Sequence, residues 1–312
     1  MGRNYGLGSR DMFVAGKFAL RKTVIDHHHS FATEAVLGER WRIFSEWARE
    51  KKVKKMEYVT QELVRQYGEN LAHKVKEKLL SASTAQVYLS AVNTVMSIAT
   101  KNQWETVSAV SDCGIPKRSA VRECAPGALD ERAFENAVVA VQEKMGERLE
   151  CVIMLMRMFG LRSKEASLLN SKIALEQANG TREVTIMYGP KGGRERKVPV
   201  ISDDQIKILQ RAADNQGNDL SMIPEGQSWK VWQGQKLRSA RKIVNEFTGG
   251  GLHDLRAAYA CERYFSLTGH PAPALGAKIA DKTKDFEARK IISIELGHNR
   301  IDVVAEYVGG RR

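Results

Sequence analysis

Apolar side chains recur along most of this chain at the three- and four-residue steps of an amphipathic helix, and only briefly at the two-residue step of a strand. From Phe31 to about Lys52, the residues Leu37, Trp41, Phe44 and Ala48 share one helical face. A second helix is predicted from about Thr60 to Leu79, with Leu63, Tyr67, Leu71, Val75 and Leu79 four residues apart. In a third, Ser83 or Thr84 caps a stripe of Tyr88, Ala91, Val92, Val95, Ile98 and Ala99. Three such helices with short links make a small bundle over residues 31–111. It holds no catalytic constellation, so binding is its expected work.

Residues 1–30 lack the stripe. They are glycine-rich (Gly2, Gly6, Gly8), then basic (Lys17, Arg21, Lys22), and are expected to form a mobile N-terminal arm. His27, His28 and His29 are consecutive, which suits a surface turn better than a metal site. Residues 112–127 break the helical pattern with Gly114, Pro116, Pro126 and Gly127, carry Lys117, Arg118 and Arg122, and are expected to link the bundle to a second domain over 128–312. There, helical periodicity resumes near Asp130, and the methionine-rich run Leu149–Phe159 reads as a core helix. Gly160-Leu161-Arg162 interrupts it, and Ser163 caps the next helix, through Leu169. Short strands are predicted at Ile173–Leu175 and Val184–Tyr188; the latter forms a hairpin with Lys197–Val200 around a Gly/Pro turn that carries Lys191. Helices follow over 202–214, 228–247 and His253–Phe265, then a loop over 266–285 and a final helix. The predicted fold is mainly α with a small antiparallel β-sheet, in two domains.

At 312 residues, two domains also match the usual size of a single core. The formal charge of +12 points to a polyanionic partner, most simply nucleic acid, although a merely soluble basic protein fits charge alone. Residues 1–125 carry 20 basic and 13 acidic side chains and the remainder 29 and 24, so both halves are suited to face one polyanion. Cys113, Cys124, Cys151 and Cys261 are widely spaced, which favours reduced thiols over a disulfide framework or zinc site. The start of the chain is polar and basic, and the longest apolar run, Cys151–Met156, is too short to span a bilayer. A cytoplasmic protein without membrane contact is expected.

Four segments carry candidate chemistry: Gly-Leu-Arg162-Ser-Lys-Glu165, the hairpin from Lys191 to Val200, His253-Asp-Leu-Arg256, and Leu-Gly-His298 followed nine residues later by Tyr307. Each alone has an ordinary explanation, such as an i, i+3 ion pair between Arg162 and Glu165 or a solvated lysine at a hairpin tip. In this order and spacing, over about residues 128–307, the sequence resembles the tyrosine recombinases, the phage integrase-like site-specific DNA recombinases. The helical first half resembles that family's core-binding domain in general character only.

The resemblance implies a reaction in which Tyr307 attacks a scissile phosphate to form a 3′-phosphotyrosyl link. It implies that Arg162 and Arg256 hold the non-bridging oxygens and that Lys191 protonates the departing 5′-oxygen. His253 would assist proton handling near the nucleophile, His298 would bond a phosphate oxygen, and Glu165 would orient the arginine site. No metal, ATP or other cofactor is expected, in line with the lack of a phosphate-binding loop or acidic two-metal cluster in the sequence. Expected partners are double-stranded DNA recombination sites, three further protomers in a tetramer on that DNA, and a directionality or DNA-bending accessory protein. Ser83, Thr84, Gln86, Arg194 and Arg196 are candidates for DNA contact. Two departures stand out: residues 266–285 look like an insertion between His253 and His298, and only five residues follow Tyr307. The exchange of tails between protomers is therefore expected to be weaker or to use another element, unless the sequence is a piece of a longer one. Dimer resolution, type IB topoisomerase activity and a non-catalytic DNA-binding regulator stay open as alternatives.

Overall fold

A computed structural model of the chain describes residues 2–26, 30–190 and 193–311. It has two compact units, Met1–Ser119 and Ala120–Arg312, each with its own apolar core.

In the first unit, α1 (Met12–Ile25), α2 (Phe31–Glu50), α3 (Gln61–Lys76) and α4 (Ala82–Ala99) surround Trp41, Phe44, Tyr67 and Leu89. Each starts on a polar side chain, Asp11, Ser30, Thr60 or Ser81, that accepts an otherwise unpaired N–H of its first turn. The cap of α4 is thus Ser81 rather than Ser83 or Thr84. A mobile arm over residues 1–30 is not what the structure has: α1 buries Met12, Ala15, Ala19 and Leu20, and Trp41 Nε1 donates to the Met12 carbonyl at 3.1 Å. Gly16 admits the indole, since a Cβ there would lie 2.0 Å from Trp41 Nε1. The lysines and arginine that suggested an arm occupy the outer face of this helix. The three histidines at 27–29 lie outside the described residues.

The second unit begins with α5 (Glu131–Met145) and α6 (Glu147–Phe159). After these come α7 (Ser163–Leu168), α8 (Ser171–Thr181), β1 (Glu183–Ile186), β2 (Arg196–Pro199) and α9 (Asp203–Gln216). A short α10 (Trp229–Val231) runs through a π-helical stretch into α11 (Arg238–Thr248), followed by α12 (Leu252–Thr268), α13 (Lys282–Glu295) and the single turn α14 (Ala305–Val308). Apolar on most sides, α6 is the central element and packs against α5, α9 and α12. Among the described residues the sheet has two strands, antiparallel, with Glu183 opposite Pro199 and Ile186 opposite Arg196. Ile173–Leu175, expected as a strand, is helical instead. Three residues are too few for a period to decide, whereas Asn170 caps α8 and Ala174 and Ala178 form its buried i, i+4 face. The expected 266–285 loop is shortened at both ends by α12 and α13 and contains a 3-10 turn at Pro273–Leu275. No helix among the described residues is long and apolar enough to cross a membrane.

Candidate active site

The site is assembled where α6 stops. Gly160 adopts a left-handed conformation (φ 59°) that ends the helix, and a Cβ there would meet the Tyr259 ring at 2.4 Å. This turns the chain so that Arg162 leads into α7. Glu165, three residues on and fully buried, reaches back to the Arg162 backbone N–H (2.7 Å) and accepts from the Arg162 guanidinium (2.7 Å). The same carboxylate takes a bidentate pair from Arg196 at 2.8 and 2.7 Å, and Arg256 Nη1 lies 3.8 Å away. Burial alone would raise the Glu165 pKa. The bonds and charges of Arg196, the Arg162 N–H and the Arg256 charge overcome it and hold the carboxyl at about 2. Three guanidiniums therefore share one carboxylate, which leaves a surplus of positive charge in a partly water-excluded pocket.

From α12, Arg256 enters this pocket fully buried and donates to the carbonyls of Gly160 and Leu296, which fix its plane. Burial is the largest influence on it and lowers its pKa to about 10, so it stays charged at neutral pH. Beyond Leu296, Gly297 (φ 67°) passes so close to Arg196 that a Cβ would sit 2.8 Å from Arg196 Cδ. That turn places His298, whose Nε2 is 2.9 Å from the Tyr307 hydroxyl, 3.4 Å from Arg256 Nη2 and 3.5 Å from Arg162 Nη2. Partial burial, then the charges of Arg256, Arg162 and Arg196, lower the His298 pKa to about 4, so its ring is neutral at pH 7. Three donors facing Nε2 make it the acceptor and put the ring proton on Nδ1. Tyr307 itself is 1% exposed, with its ring 5.6 Å from the Arg256 Cζ and 5.4 Å from the His253 ring centroid. His253 keeps an open face to solvent, and its pKa is lowered by desolvation and then by Arg256, Arg162 and Arg122.

Two guanidiniums and a phenol converge on one neutral imidazole nitrogen, a cationic cluster whose chemistry suits an anion beside a hydroxyl. The integrase family model matches residues 116–262, the stretch that includes Arg162, Glu165, Arg196, His253 and Arg256. Most of the second unit, up to α12, thus carries the integrase family's sequence pattern. In structure the chain is similar to the Tn1549 transposon integrase in complex with transposon right-end DNA, with a TM-score of 0.60 and 13% identity over 95% of each chain. It is also similar to a lambda integrase dimer bound to a COC′ core site (TM-score 0.58, 13% identity, 94% of this chain and 76% of that one). A lambda integrase tetramer bound to a Holliday junction gives 0.59 and 13% over 97% and 78%. No curated protein sequence matches the chain.

Within the second unit, Arg162, Glu165, Arg256, His298 and Tyr307 meet at one site, with His253 against its tyrosine. It is His298, rather than His253, that touches the hydroxyl. Lys191 lies outside the described residues. Arg194 is exposed. Arg196, expected on the DNA surface, is 7% exposed and spends its guanidinium on Glu165 and the Glu295 carbonyl (2.7 Å), so its role is to anchor the pocket. The signal was present in the strand alternation, because Arg196 shares its parity with the buried Val198 and Val200. In the first unit, Ser83 is exposed, the Thr84 hydroxyl lies 2.8 Å from that of the capping Ser81, and the Gln86 amide donates to the Pro116 carbonyl at 2.7 Å. Arg122, read only as a linker charge, bonds beside Tyr307 and was missed because that contact spans 184 residues.

Proposed function

We propose that the chain is a site-specific DNA recombinase that breaks and rejoins strands through a 3′-phosphotyrosyl intermediate. The observation that carries this reading is the convergence of Arg162, Arg256 and the Tyr307 hydroxyl on His298 Nε2. A scissile phosphate entering by the exposed edge at Arg162 and His253 takes the place of the imidazole nitrogen as acceptor for both guanidiniums. Their planar forks match two phosphate oxygens and stay charged throughout. The Tyr307 oxygen bonds to phosphorus as its proton passes to the neutral His298 Nε2, and the bond from phosphorus to the 5′-oxygen breaks. Lys191, between the two strand segments in the sequence, delivers the proton to that oxygen. The developing charge on the phosphorane is met by donors already in place, held by Glu165, Gly160 and Leu296, so little reorganisation is needed. The new ester conserves the phosphodiester's energy, and a second 5′-hydroxyl reverses the step without ATP.

Double-stranded DNA, four protomers on paired sites and the integration or excision of a mobile element complete the proposal, with an accessory bending protein to set direction. The test is a nicked suicide substrate built from DNA flanking the protein's own gene. The parent protein forms a covalent adduct, and Tyr307→Phe binds the same DNA but forms none. An adduct with Tyr307→Phe removes Tyr307 as nucleophile, and no adduct with the parent on any such DNA removes the activity.

A further inference from the structure

We infer that Arg122 is a positioning residue for the segment that carries Tyr307, an inference that rests on Tyr307 being the attacking group. The tyrosine sits on α14, a helix of four residues, entered through the 3-10 turn Ile301–Val304. One turn of helix has almost no stability of its own, so its place must be set by tertiary contacts. On one side these are the buried Val304 and Val308, the Cys261 thiol on the Tyr307 carbonyl (3.5 Å) and Arg289 on the Gly309 carbonyl (2.9 Å).

On the other side there is Arg122. Its backbone N–H donates to the Ala305 carbonyl at 2.9 Å, and its Nε reaches the Glu306 carbonyl, the peptide that joins Glu306 to Tyr307, at 3.4 Å. Its Nη2 pairs with Asp254 at 2.9 Å. Asp254 follows His253 and precedes Arg256 by two residues, and its second oxygen accepts the Ala128 N–H at 3.3 Å. A Cβ on the neighbouring Gly250 would lie 2.4 Å from it, so Asp254 has little room to shift. One guanidinium thus ties the turn just before the nucleophile to the helix that supplies His253 and Arg256. The Arg122 side chain is 17% exposed and that of Asp254 is 10% exposed, so the pair is little screened by solvent. With Nε and Nη2 engaged this way, the guanidinium is oriented toward the tyrosine segment rather than toward a DNA phosphate. A lysine keeps the charge but, as a single point donor, lacks the fork that spans the Glu306 carbonyl and Asp254.

The distinguishing variant is therefore Arg122→Lys, with Arg122→Gln beside it, each checked for an unchanged unfolding midpoint. On the suicide substrate at saturating DNA, Arg122→Lys slows adduct formation by at least about tenfold, the scale expected when a reacting group is displaced by a fraction of an ångström. Its DNA affinity stays within about twofold of the parent, because no phosphate contact is lost. A second measurement needs no activity: 3-fluorotyrosine placed at position 307 gives a ¹⁹F resonance that shifts or broadens in Arg122→Lys relative to the parent background. Unchanged rate with unchanged resonance overturns the inference. So does weakened DNA binding with an unchanged saturated rate, which makes Arg122 a phosphate contact. If the parent itself forms no adduct, the proposed reaction fails, and the fluorine comparison alone decides whether Arg122 places Tyr307.

Discussion

Replacing Glu165 by glutamine keeps the shape of the pocket's anchor and removes its charge. In the parent, this fully buried carboxylate accepts two bonds from Arg196 and two from Arg162 and lies 3.8 Å from Arg256. The amide can accept at one atom only, and its NH₂ faces guanidinium donors, so three cations lose their counter-charge. Breaking a buried pair in this way costs about 3–5 kcal/mol. The carboxyl's own titration leads to a similar figure: a pKa held at about 2 instead of 4.5 corresponds to about 3 kcal/mol at neutral pH. For a unit of this size about 2–4 °C is lost per kcal/mol, so the midpoint falls by roughly 6–20 °C. The assay is calorimetry on the full chain at pH 7, followed at lower pH. Because the folded pKa is depressed, the carboxylate's contribution is present above the unfolded value and is lost as pH falls toward about 2. The gap between parent and Glu165→Gln should therefore narrow below about pH 4. A midpoint within about 2 °C of the parent at pH 7 refutes the idea that one carboxylate neutralises the arginine cluster.

Two further predictions concern protons. In the folded chain His298 takes up its proton only near pH 4, whereas the unfolded chain does so near the ordinary 6.5, so this residue's contribution to stability declines as pH drops from about 6.5 to 4. A proton NMR titration of the His298 ring checks it, and a midpoint near 6.5 would show that the arginines do not press on the imidazole. Lys191→Ala should lose cleavage of ordinary DNA by about 10²–10⁴-fold and recover it on a substrate whose 5′-bridging oxygen is sulfur, a leaving group that needs no acid. Equal loss on both substrates would take the general-acid role away from Lys191.

The helices were legible because amphipathic periodicity and capping residues are local. The 3.6-residue stripe of α2, the four-residue steps of α3 and the break at Gly160 need no knowledge of what they pack against. Ile173–Leu175 failed as a strand because so short a run has no period, and α1 was hidden because apolar residues such as Phe18 and Ile25 also lie on its exposed face and blur the stripe. The types, order and spacing of Arg162, Glu165, Arg256, His298 and Tyr307 likewise lay in the sequence, as the motifs that carry its family resemblance. Only the tertiary structure decided that Arg196, already turned inward by the strand alternation, holds Glu165 and that His298 rather than His253 meets the phenol. It also placed Arg122, remote in sequence, behind the tyrosine. The physical reason is the same each time: a hydrogen bond or ion pair between distant segments depends on where two rigid elements cross, and no local pattern encodes that crossing.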